Sequence, residues 1–254
     1  MTAGKVADLA LETGRSAGYT ILDLDGTLHP GTMGISFLRE LVAAGSCDRV
    51  AGDRLLSRLG ELTPDDLYTP TMMERTYQEF ATVLGGVPVT RAEHAAKRVW
   101  RRERVHLFPF VHPLLRLLRQ HHSHVLLISG SPEAIVSAVA ADLGIRSSHG
   151  AVFGIENGAY NGMLVDAPVL NEGKVRWLDA LIADHGHVRP TTLAVGNSIV
   201  DQTVLAAVDH PIAFEPDPEL LTVATSQGWP VARRDSLIEH VSTALAWNLQ
   251  ERAS

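Results

Sequence analysis

Four short apolar runs punctuate the chain, over residues 19–24, 124–129, 191–195 and 211–214. Each reads as a buried strand of a parallel sheet. The first three end in small or polar residues: Asp23 and Asp25, Ser129 and Ser131, Asn197 and Ser198. Helical patterns follow over 132–143 and 199–207, and another over 173–183 precedes the third strand. Strands alternating with helices predict an α/β fold, a doubly wound parallel sheet with helices on both faces and right-handed crossovers. Ligands of such sheets sit outside the carboxyl ends of the strands, so the three polar clusters are expected at one edge.

The stretch from about residue 29 to 110 breaks this alternation. It holds no convincing strand and four helical segments, over 35–44, 48–59, 64–84 and 91–105. Helix-start signals recur at Thr63-Pro64-Asp65-Asp66 and at Thr90-Arg91-Ala92-Glu93, the second with capping-box spacing. Gly85-Gly86-Val87-Pro88 is a break between two helices. The pattern predicts a helical cap domain at 29–110 inserted into a core formed by 1–28 and 111–254. A smaller insertion, over about 150–166, reads as two strands around the Asn157-Gly158 turn. Residues 236–249 form an amphipathic helical pattern in which Trp247 is expected to pack.

Composition narrows the options. The 254 residues are 45% hydrophobic and 20% charged, as in a soluble globular protein. A net charge of −7 argues against a nucleic-acid binder, and Arg101-Arg102-Glu103-Arg104 reads as a solvated helix face. With Cys47 as the one cysteine, no intramolecular disulfide can form. The opening segment MTAGKVADLALETGRSAG has no continuous apolar core, so a signal peptide is not expected. No apolar run reaches the ~20 residues of a membrane span, and a cytoplasmic setting is the expectation. The clusters His121-His122-x-His124 and Asp184-His185-Gly186-His187 read as loop and helix-end histidines, without supporting metal ligands.

The segment Asp23-Leu24-Asp25-Gly26-Thr27-Leu28 carries the candidate chemistry. Two carboxylates this close at a strand end repel each other, and burying either unpaired is worse. A divalent cation is the usual remedy. Gly26 lets the chain leave the strand at an angle. Three further segments follow in order: Ser129-Gly130-Ser131, then Lys174, then Gly196-Asn197-Ser198-x-x-Asp201. In this order and spacing the chain resembles the haloacid dehalogenase superfamily, nearest its phosphoserine-phosphatase-like branch with a helical cap between the first two motifs.

The resemblance implies a Rossmann-like core and a Mg²⁺-dependent phosphatase for a small phosphorylated metabolite. It casts Asp23 as the nucleophile that becomes an aspartyl-phosphate, and Asp25 as the acid and base. Ser129 and Lys174 would hold the phosphoryl oxygens, with Gly26, Thr27 and Gly130 beside them. Mg²⁺ would take the Asp23 side chain, the Asp25 backbone carbonyl and the side chain at 197. Two departures stand out. The family's last motif usually opens Gly-Asp; here the second position is Asn197, whose amide ligates without charge, while Asp201 remains to hold a metal-bound water or orient Lys174. Phosphoserine phosphatases carry a glutamate nine residues past the nucleophile; here that residue is Thr32, and the next acid is Glu40. His29, Thr32, Met33 and Phe37 are candidates for the pocket wall or the cap core. The alternatives are a phosphotransferase or phosphomutase, or a phospho-ligand binder impaired by Asn197. The expected partner is a small phosphate ester, with no nucleic acid or membrane; a homodimer stays open.

Overall fold

The computed structural model describes residues 18–63, 69–170, 172–183 and 191–251. Its strands are β1 (Tyr19–Leu22), β2 (His124–Pro132), β3 (Ser147–Glu156), β4 (Ala159–Asp166), β5 (Thr192–Gly196), β6 (His210–Phe214) and β7 (Val231–Ala232). They form a seven-stranded sheet in the order β4-β3-β2-β1-β5-β6-β7. β1 pairs with β5, β5 with β6 and β6 with β7, all in parallel, while β3 and β4 run antiparallel. With its flanking helices this is the α/β fold expected from the sequence. Every residue of β1 and β5 is buried, which accounts for continuous apolar runs in place of alternation.

Two compact units divide the chain. The described residues of 1–23, 108–126 and 172–254 make one. Its helices are α5 (Val111–Gln120), α7 (Gly173–Ala183), α8 (Gln202–Ala207), α9 (Pro218–Gln227) and α10 (Leu237–Glu251). Phe108, Phe110 and Phe214 cluster in its core, with the Arg234 guanidinium 4.4 Å over the Phe108 ring. The sequence reading did not anticipate α5, because Pro113 looks like a breaker. Pro113 falls in the helix's first turn, where its missing N–H removes no helical bond. The reading also stopped short of α9, which Asp217 caps through Leu220 N, with Pro218 leading the helix.

Residues 24–107 and 127–171 make the other unit. It contains α1 (Met33–Ala43), α2 (Arg49–Glu61), α3 (Pro70–Leu84), α4 (Val89–Glu103) and α6 (Glu133–Leu143), with β3 and β4. A stack of rings, Phe37 on Phe80 on Phe153, fills its core, joined by Leu38, Leu41 and Val99. The hairpin turns through Asn157 (φ 50°) and Gly158 (φ 80°), the left-handed pair that an Asn-Gly turn supplies. Backbone bonds join it to the segment before α4: Gly86 N–H donates to Tyr160 O at 2.8 Å, Tyr160 N–H to Val87 O at 3.0 Å, and Val89 N–H to Gly158 O at 3.0 Å.

The capping box expected at Thr90–Glu93 does not form. α4 starts earlier, after Pro88, and its first residues carry no side-chain cap. α3 begins at Pro70, with Thr69 accepting from Met72 N; the expected start at Thr63–Asp66 falls on residues 64–68, outside those described. The opening segment, the Asp184–His187 cluster and the packing of Trp247 also lie outside the described residues. No helix among the described residues is long and apolar enough to cross a membrane.

Candidate active site

The first cluster forms where β1 and β5 end. Their parallel ladder sets Leu22 beside Val195, and Asp23 N–H donates to Val195 O at 3.2 Å. Asp23 therefore leaves the sheet alongside Gly196 and Asn197. Lys174, in the first turn of α7, is 2% exposed, and its Nζ lies 2.8 Å from Asp23 Oδ1 and 2.5 Å from Asp201 Oδ1. Burial alone would lower the pKa of that ammonium, but the carboxylates of Asp201 and Asp23 outweigh it and hold the pKa above its ordinary value of 10.5.

Asp201 works with both oxygens. While Oδ1 receives Lys174, Oδ2 accepts from Asn197 N at 2.9 Å and Ser198 N at 3.2 Å, and Ser198 and Asp201 close a capping box on the 3-10 turn Ile199–Asp201. The sequence left Asp201 two roles, holding a metal-bound water or orienting Lys174; in the structure its Oδ1 accepts from Lys174 Nζ. Gly196 is needed for this. A Cβ there would lie 2.5 Å from Asp201 Cγ, a distance no real side chain tolerates. Asp217, missed in the sequence, fixes the same loop: its N–H donates to Asn197 O, and its Oδ2 accepts from Ile199 N at 2.8 Å.

The second cluster surrounds Asp25. In the sequence only Leu24 separates Asp25 from Asp23. Asp25 Oδ1 accepts from Met33 N at 2.7 Å; Oδ2 accepts from the Ser131 hydroxyl at 2.6 Å and the Ser129 hydroxyl at 3.0 Å. Burial pushes the Asp25 carboxyl above its ordinary 3.8, against the downward pull of the Met33 N–H and the two hydroxyls. Ser131 was quoted in the sequence motif without a role. Its signal was the two-residue spacing from Ser129: β2 stays extended through Pro132, and alternate strand residues share a side. The strand expected over 124–129 thus runs on to Pro132. Pro132 precedes α6 but caps nothing.

Gly26 has φ 83° and donates its N–H to His29 O at 2.7 Å, while Thr27 N–H donates to Leu24 O. Both amides thus close the turn and do not face an anion. His29, Met33 and Phe37 are buried in the unit's core, whereas Thr32 is exposed. Glu40 is clamped by Arg98 at 2.8 Å and Arg102 at 3.3 Å, and the Arg98 hydrogen bond leads in holding its carboxyl below the usual range.

The sequence profile of the haloacid dehalogenase-like hydrolases matches residues 20–206. The chain belongs to this family. A histidinol-phosphatase of Neisseria meningitidis is 31% identical over 134 residues, covering 50% of this chain and 60% of that protein. The chain therefore spans less than two thirds of the length of that relative. Among solved structures, a Bordetella pertussis protein of unknown function superposes with a TM-score of 0.72 at 22% identity, over 87% of this chain and 100% of that one. A phospho-aspartyl intermediate analogue of phosphoserine phosphatase superposes with a TM-score of 0.60 at 18% identity, over 87% and 94%. At these identities the two structures speak for the fold.

Members of the haloacid dehalogenase-like family generally use Mg²⁺, and the donor chemistry here suits it. The strand ends offer the Asp23 carboxylate and the Asn197 amide, hard oxygen donors that leave positions for carbonyl and water. Among the described residues no three of His, Cys, Asp or Glu group to hold a metal ion. Two carboxylates around one ammonium carry a single formal negative charge. A divalent cation would overcompensate it, and an anionic ester would restore the balance.

Proposed function

We propose that this chain is a phosphomonoesterase that hydrolyses a small phosphorylated metabolite through an aspartyl-phosphate on Asp23. The observation that carries the reading is the buried Lys174 ammonium bonded at once to Asp23 and Asp201. It offers a cation where an anionic ester must approach a carboxylate. Asp23 attacks phosphorus as the bond to the alcohol oxygen breaks, and Asp25 gives that oxygen its proton. Asp25 then takes a proton from the attacking water, the phosphorus–Asp23 bond breaks, and inorganic phosphate leaves. The raised pKa of Asp25 suits a group that must hold and release a proton in turn.

Asp23, the Asp25 carbonyl and Asn197 would hold Mg²⁺, which when bound supplies charge neutralisation and polarises the phosphoryl group. Ser129 has one proton, given to Asp25 in this structure, so it serves the phosphoryl group only by turning that hydroxyl away. Ser131 then keeps Asp25 in place. The first cleavage is favoured on alcohol phosphates other than phosphoserine, because Thr32 is uncharged and Glu40 is committed to two arginines. Histidinol phosphate belongs among the substrates tried, given the Neisseria relative.

Phosphate release from a panel of small esters, with and without magnesium, tests the reading. The expected result is magnesium-dependent release that Asp23→Asn abolishes. A folded chain that turns over no ester, or Asp23→Asn at full rate, refutes it. Phosphorylated acceptor in place of free phosphate would show a transferase.

A further inference from the structure

Tyr77, on α3, touches the segment that holds Asp25. Its phenol donates to Gly130 O at 2.7 Å. The contact leaves little room at residue 130. A Cβ there would stand 2.6 Å from Tyr77 Oη and 3.1 Å from Val169 Cγ1, so any larger residue would displace the phenol.

The next peptide carries the effect onward. With Gly130 C=O on Tyr77, the N–H of the same peptide, that of Ser131, donates to Ser129 Oγ at 3.0 Å. An oxygen that already accepts from an amide gives its own proton elsewhere, and Ser129 gives it to Asp25 Oδ2. Ser131 repeats the device. Its Oγ accepts from Gly34 N at 2.8 Å, so its proton also goes to Asp25 Oδ2. Two backbone amides thus set the direction of two hydroxyls on one carboxylate oxygen. Tyr77 fixes one of these amides from the far end of its peptide.

We infer that Tyr77 is a positioning residue of the hydrolase: an inserted helix holds the Gly130–Ser131 peptide and, through Ser129, the Asp25 carboxylate. The inference rests on the phosphatase reading for its kinetic consequence and on geometry alone for its structural one. Tyr77 reaches no reacting atom itself. Its loss should slow the chemical steps while leaving ester binding nearly intact.

The test is Tyr77→Phe, which keeps the ring and removes the donor, with Thr82→Val as a control. Thr82, also on α3, spends its hydroxyl on Gln78 O and does not reach Gly130. Tyr77→Phe should lower kcat about tenfold, the factor one hydrogen bond of ordinary net strength commands, with KM within about twofold. Thr82→Val should leave both constants unchanged. Amide hydrogen exchange, read without substrate, should show faster exchange of Ser131 N–H in Tyr77→Phe and not in Thr82→Val. Unchanged kcat together with unchanged Ser131 exchange overturns the inference. A rise in KM alone also overturns it, assigning Tyr77 to ester binding. If the wild-type chain releases no phosphate from any ester, the phosphatase reading fails, and Ser131 exchange still decides whether Tyr77 holds the peptide.

Discussion

At the scale of the residue, Lys174 is the group whose removal should be felt most. It is buried against two buried carboxylates, and deleting one member of such an arrangement leaves uncompensated charge. Lys174→Met keeps the apolar stem and removes the ammonium. It should destabilise the fold by about 3–5 kcal/mol at neutral pH, read by urea unfolding. The pH dependence follows from the sign of the shift. A lysine whose pKa is raised in the folded state contributes its full stability below the unfolded value of 10.5 and loses it as pH rises through the higher folded value. The gap between wild type and Lys174→Met should therefore be flat from pH 7 to about 10 and narrow only above that. A gap that closes between pH 7 and 9 would contradict the pairing. The partners of Lys174 were only partly legible in the sequence. The family resemblance implied Asp23 and left Asp201 between two roles, because four residues past Asn197 do not reveal how the turn folds back.

At the scale of the element, most of the architecture was legible and its boundaries less so. Apolar runs located β1, β2, β5 and β6 because strands buried on both faces need no alternation. The helices that escaped notice each begin with a proline signal. α5 has Pro113 in its first turn, and α9 has Asp217-Pro218 ahead of it. β2 outran its reading by three residues, and those residues include Gly130 and Ser131. A local pattern cannot tell Ser-Gly-Ser-Pro in a strand from the same letters in a loop, since tertiary contacts with Gly34 and Tyr77 decide the matter. A stack of rings joins α1, α3 and β3. Phe80, 6% exposed, lies between Phe37 and Phe153, with centroids at 6.5 and 5.6 Å. Phe80→Ala should cost about 3–5 kcal/mol, measured as a lower urea midpoint. A loss below about 1 kcal/mol would mean that the stack contributes little to holding the unit.

At the scale of the whole molecule, a net charge of −7 opposes the approach of an anionic ester, so the attraction must be local. Lys174 supplies one positive charge and a bound cation would supply more. In the proposed ligand set Asn197 would limit how firmly that cation is held, because an amide ligates without charge. Asn197→Asp should tighten magnesium binding roughly tenfold, seen by titration calorimetry with no ester present. Unchanged affinity would place residue 197 outside the metal's ligands. The composition made an acidic globular protein readable, and the motif order made the family readable. Tyr77 and Asp217 stayed hidden because each acts through a backbone contact made by tertiary folding.

The seam between the hairpin and the segment at 86–89 is made of main-chain atoms. Bonds of that kind do not depend on which side chains flank them. The residues on either side can drift over generations while the fastening holds. Side chains along the hairpin and along 86–89 can therefore change size and charge without loosening the bonds that join the two segments.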